Sequence, residues 1–166
     1  MDDALVLREA FRHNAWANRT LIGVFRQVPR LELTNPFREG KRLLHKLNYL
    51  VITDVYFASA LAGEEPAWRW PADETGDLDE LETRVNHAAA LWEEALARPI
   101  DASRMVLVGD GTYEFPVWAV LMQALKHGIA ERTQICPPLA KLVGVALPSL
   151  DPYAYATSTG RGGLLP

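Results

Sequence analysis

His127 and Glu131 are the two residues of this sequence whose chemistry and spacing combine most directly. They lie four positions apart in the segment KHGIAERTQI, so on a helix both side chains leave one face about one turn apart. At that separation an imidazole nitrogen and a carboxylate oxygen can grip one divalent ion, and both donors suit zinc, nickel, manganese or iron. Without a metal the pair is an acid/base couple, in which a carboxylate raised in pKa by burial serves as general base. Such pairs also arise on helices as ordinary hydrogen-bonded or solvated neighbours, so the spacing alone leaves these readings open.

A third donor has to come from another element. His45 and Tyr49 are again four apart, and Thr53 and Tyr56 continue the row. If that row faces His127 across a helical bundle, Tyr49, His127 and Glu131 form a three-ligand site with one coordination position free. A small rotation of the helix would present His45 instead. A phenol, with a reference pKa of about 10, is a poor ligand at neutral pH unless the metal itself lowers that value. The alternative is that Tyr49 packs its ring and His45 stays exposed near its helix start.

The elements that must position these groups follow from apolar periodicity. Leu7, Phe11, Ala15, Leu21, Ile22 and Phe25 predict a first helix over residues 3–27, with Asn14 and Asn18 on its apolar stripe. Those amides either line a polar pocket or bond between packed helices. The segment VPRLELTNPFREG reads as a loop because of Pro29, Pro36 and Gly40. A second helix is expected from Lys41 to Ala62 with Gly63 as its stop, and Asp54 interrupts its apolar side. A carboxylate facing a core must be paired, to Asn18 for example, or serve a site.

The stretch EEPAWRWPADETGD, with Trp68 and Trp70, reads as a long surface connection whose rings cover the bundle end or wall a pocket. A third helix is expected over 78–97. A small hairpin follows around Gly109, Asp110 and Gly111. The fourth long helix is expected from Pro116 onward, with that proline in its first turn, and Pro137 and Pro138 predict a kink or restart before Gly144. LDPYAYA reads as a short docked turn or helix, and residues 161–166 as a loose tail. The fold class is therefore all-α, an antiparallel four-helix bundle with a small hairpin, in one domain over residues 1–160.

Taken in order, HNAWANRTLIGVF, LNYLVITDVYFASALAGEE, HGIAERTQI and LDPYAYA resemble the DinB/YfiT-like family over about residues 5–156. In that family the second helix commonly reads Leu-Asn-His, with Asp five residues after the histidine. Here Leu47, Asn48 and Asp54 match, and Tyr49 stands in place of the histidine. The fourth helix commonly reads His-x-x-x-His-Arg-x-Gln, and here His127, Arg132 and Gln134 match while Glu131 replaces the second histidine. The resemblance implies a bundle that holds a divalent metal on three histidines in an open pocket, often as a homodimer. It implies thiol-dependent transfer or isomerisation for members of known activity. It also makes Asp54 and Arg132 structural groups beside the site.

With two imidazoles replaced, two functions are expected. One is a metal-dependent hydrolase or thiol-dependent transferase acting on a small molecule. The other is a catalytically inactive dimeric bundle that binds a small molecule or a partner. For a dimer, an uncovered apolar stripe on the first or fourth long helix is the place to look.

Composition narrows the surroundings. The 166 residues are 49% hydrophobic and 23% charged, enough apolar material for one core, and a formal charge of -4 disfavours unaided nucleic-acid binding. A single cysteine, Cys136, forms no internal disulfide and is expected to be a packing residue in a cytoplasmic protein. The acidic start MDDALVLREAF does not resemble a secretory signal, and no apolar run is long enough for a membrane span. His13 and His87 have no evident partner in the sequence.

Overall fold

The computed structural model describes residues 3–109 and 111–163. Asp110 of the expected hairpin turn and residues 164–166 of the expected tail lie outside the described residues. In chain order the elements are α1 (Asp3–Phe25), α2 (Arg30–Thr34), α3 (Glu39–Ala62), α4 (Leu78–Leu96), β1 (Met105–Val108), β2 (Tyr113–Pro116), α5 (Val117–Val143) and α6 (Pro152–Ser158). The protein is a helical bundle with one antiparallel hairpin, whose register pairs Val106 with Phe115. None of the described helices is long and apolar enough to cross a membrane.

Four long helices form the bundle, with α3 packed on α4 and α5, and α1 packed on the same two. Arg26 near the end of α1 pairs with Asp79 at the start of α4, so α1 and α4 are antiparallel. Asn48 in the first half of α3 bonds to Thr75 just before α4, and Asp54 bonds to Trp92 near α4's end, so α3 and α4 run the same way. Consecutive helices that run parallel need a connection reaching back along their length. Residues 63–77 can span about 50 Å when extended, enough to return along α3, which is about 36 Å long.

That return path decides against one of the two expectations for the tryptophans, that they cover the bundle end. They lie along the flanks of the bundle rather than over its end: Trp70 packs on His45 and Tyr49 of α3, and Trp68 on His87 and Arg84 of α4.

Two apolar clusters fill the bundle. One gathers Leu21, Ile22, Phe25, Leu44, Leu47, Leu81, Ile135 and Leu139, and the other Phe11, Ala58, Leu61, Trp92, Val117, Val120 and Leu121. Between them sits a polar layer of Asn14, Asn18, Asp54 and Arg132, all buried.

Three local expectations need correction. The segment after α1 is not only loop, because Pro29 serves as the N-cap of α2 and buried Leu33 anchors that short helix. Pro137 and Pro138 do not restart the last long helix, and α5 runs through them. Ile135 and Leu139, fully buried on either side, hold the helix in the core while the prolines remove two backbone donors. The tail starts later than residue 161, since Arg161 pairs with Glu9 at 2.8 Å and lies over the Tyr155 ring.

Candidate functional site

The site is built where α3 crosses α5. Helical spacing puts His127 and Glu131 one turn apart on α5, and the half-buried pair faces α3. Tyr49 meets His127 ring edge to ring face, with centroids 5.1 Å apart and planes at 88°. Phe57, two turns further along α3, approaches the same imidazole at 6.3 Å. Trp70, from the return connection, closes on Tyr49 at 5.4 Å. At the rim, Lys46 Nζ donates to Gln134 Oε1 at 2.9 Å and ties the two helices together.

His127 Nε2 and Glu131 Oε2 are both shielded from solvent, and neither has a hydrogen-bond partner among the described residues. A buried polar atom left in this state costs about 1–3 kcal/mol, so the pair gains from any molecule that bonds to it. Burial, the largest influence, pulls the His127 imidazole below its usual pKa, and the positive charges of Arg132 and Lys126 act the same way. The Glu131 charge opposes them. His127 is therefore held as a neutral base beside an acceptor that would stabilise its protonated form.

The alternative donor, His45, lies apart from this pair. Its Nδ1 is 2.9 Å from Glu74 Oε2, its ring packs on Trp70, and Lys41 Nζ donates to the other oxygen of Glu74. The residue of that row beside His127 is thus Tyr49, which meets the imidazole through its ring. Among the described residues no three His, Cys, Asp or Glu side chains converge as a metal-holding group.

Beneath the site, Arg132 turns into the polar layer. Its Nη1 donates to Asn14 Oδ1 at 2.8 Å and to Asn18 Oδ1 at 2.7 Å. Asn14 Nδ2 donates to Asp54 Oδ2 at 3.3 Å, and Trp92 Nε1 donates to Asp54 Oδ1 at 3.1 Å. The amides are thus hydrogen-bonded between packed helices, and Asp54 is partnered by Asn14 and Trp92 rather than Asn18. This fixed layer sets the rotation of α5, and with it the direction of His127.

The sequence model of the DinB family matches residues 1–163. The chain belongs to the DinB family. No curated protein matches it significantly. In this DinB-family protein the groups that meet at the site are the imidazole of His127, the carboxylate of Glu131 and the ring of Tyr49.

Sequence reasoning brought Tyr49 to His127 and left Trp70 open as a pocket wall, but it did not assign Trp70 to Tyr49 or Glu74 to His45. Trp70 and Glu74 both lie on an irregular connection, where no periodicity ties a residue to a helix face. The closely spaced Trp68 and Trp70 in a polar, proline-flanked segment were the available signal. Two histidines without evident partners also find them: His13 Nε2 lies 2.7 Å from the Leu150 carbonyl oxygen, and His87 packs edge-on against Trp68.

Proposed function

We propose that the α3/α5 site is an acid/base site for a small molecule. In it neutral His127 accepts a proton from a thiol or water nucleophile, and Glu131 stabilises the imidazolium that forms. The observation that carries this reading is the pair of shielded, unpartnered atoms His127 Nε2 and Glu131 Oε2, one helical turn apart. A thiol's reference pKa of about 8.5 makes its proton accessible to a neutral imidazole; the resulting thiolate would attack an electrophilic carbon of the substrate, whose bond to a leaving group breaks as that group departs with the electron pair and takes the proton from His127. The same base would draw a proton from water in a hydrolysis. Tyr49, Phe57 and Trp70 would then wall the substrate with aromatic surface.

The divalent ion implied by the family, whether zinc, nickel or manganese, would have only His127, Glu131 and the Tyr49 phenol to hold it. That set does not fit a three-imidazole centre: it holds one imidazole, and Tyr49 meets that imidazole by ring packing. No step here runs through a metal. Elemental analysis after incubation with each ion, followed by desalting, is expected to find well under one equivalent. One tightly held equivalent, lost in both His127→Ala and Glu131→Ala, would replace the acid/base reading with a metal site.

The direct test uses 4-nitrophenyl acetate, with and without added cysteine. Acceleration above buffer that drops at least tenfold in His127→Ala supports the proposal. No acceleration, or the same rate in the variant, favours the second reading, a binding module that has lost catalysis with its two imidazoles. A homodimer belongs to this proposal as well, and light scattering that returns only the 18.5 kDa mass of one chain excludes it.

A further inference from the structure

A cavity lies on the other side of α5 from His127. At about 100° per residue, Ile129 and Cys136 point roughly half a turn away from His127. They border a space of about 960 Å³ between α1, α5 and the C-terminal segment that carries α6. This is at the upper end of what small-molecule sites enclose. Val6, Leu125, Ile129, Leu147 and Leu150 make most of its wall apolar.

The charges around it are unequally satisfied. Glu9 at its edge is paired with Arg12 and Arg161, and Asp151 accepts from Ser149 and caps α6 through the Ala154 amide. Arg132 reaches the same space from the core, only 6% exposed, and its described hydrogen bonds go to the neutral oxygens of Asn14 and Asn18. Asp54 is reached only through Asn14. A buried cation without a direct anionic partner, at the inner end of an apolar space, is complementary to a molecule with one carboxylate and a hydrocarbon chain. Because Arg132 and Asn14 are almost fully buried, a slender group can reach them and the surface of a second protein cannot.

We propose that this α1/α5/α6 cavity is a binding site for an apolar monocarboxylate, with the carboxylate on Arg132 and the chain along Leu125, Ile129 and Leu150. It is a site of its own and does not depend on proton transfer at His127.

Calorimetry with the full-length protein and decanoate, below its micelle-forming concentration, tests this. Saturable one-to-one binding is expected, at least tenfold weaker for decanol and for Arg132→Gln, and abolished by Ile129→Trp, which fills the cavity from its exposed rim. Cys136 is the chain's single thiol and lines the cavity, so bound decanoate should also slow its alkylation saturably. If Arg132→Gln fails to fold, the comparison of decanoate with decanol still reads the charge. Absence of saturable binding, equal binding of decanol, or full binding by folded Ile129→Trp overturns the proposal.

Discussion

Arg132 and Asp54 are joined through Asn14 rather than paired directly: the guanidinium donates to the amide oxygen at 2.8 Å, and the amide nitrogen donates on to the carboxylate at 3.3 Å. An intervening neutral group weakens the attraction between the two charges while both remain out of water. Desolvation therefore dominates at Asp54 and pushes its pKa up from 3.8 to about 6, against the opposing effects of the Trp92 hydrogen bond and the Arg132 charge.

The sign of the stability effect follows. An unfolded chain releases the Asp54 proton near 3.8, whereas the folded chain holds it to about 6, so this group's contribution is fully present below pH 4 and is lost as pH rises through 6. The size is on the order of 3 kcal/mol. Urea unfolding of wild type and Asp54→Asn at several pH values should show the stability difference shifting in the variant's favour by this amount between pH 4 and pH 7. A difference that stays constant with pH would contradict the assignment.

Gly128 sets the distance between α5 and α1 at this layer. A Cβ there would collide with Asn14 Oδ1 and come within 3.1 Å of Arg132 Nη1. Gly128→Ala is expected to cost about 2–3 kcal/mol, because it overpacks the layer and breaks a buried hydrogen bond. Gly23→Ala on α1, where the added methyl meets nothing within 4 Å, should instead stabilise by about 0.5–1 kcal/mol through helix propensity. Equal effects in denaturant titrations would mean that the Asn14 contact does not constrain α5.

How much of this could be seen in the sequence depends on what each residue's position rests upon. The four long helices were legible because Leu47, Leu81, Leu121 and their periodic neighbours carry the pattern themselves. His127 and Glu131 were legible as a pair because one helix fixes their spacing. Tyr49 beside His127 rested on the rotation of α3 against α5, and Asp54, Asn14 and Arg132 settle that rotation only once they are packed. Whether Trp70 covers the bundle end or walls a pocket stayed open in the sequence because the parallel run of α3 and α4, which sends residues 63–77 back along the bundle, is a property of topology. The choice between a kink and a restart at Pro137 and Pro138 was open for a related reason: α5 continues because burial of Ile135 and Leu139 outweighs a local break.

The proton affinity of His127 decides whether its neighbours have made it a base. Burial and the charges of Arg132 and Lys126 lower its pKa, and Glu131 alone among the named groups raises it. In an NMR titration, the His127 ring signals, assigned by their loss in His127→Asn, should titrate below the usual 6.5. Glu131→Gln should lower the midpoint further, since the imidazolium loses its only favourable charge. Tyr49→Ala should raise it, because removing the ring at 5.1 Å admits water to the imidazole. If Glu131→Gln leaves the midpoint unchanged, the two side chains do not act together, and the acid/base reading loses the stabilising partner on which it depends.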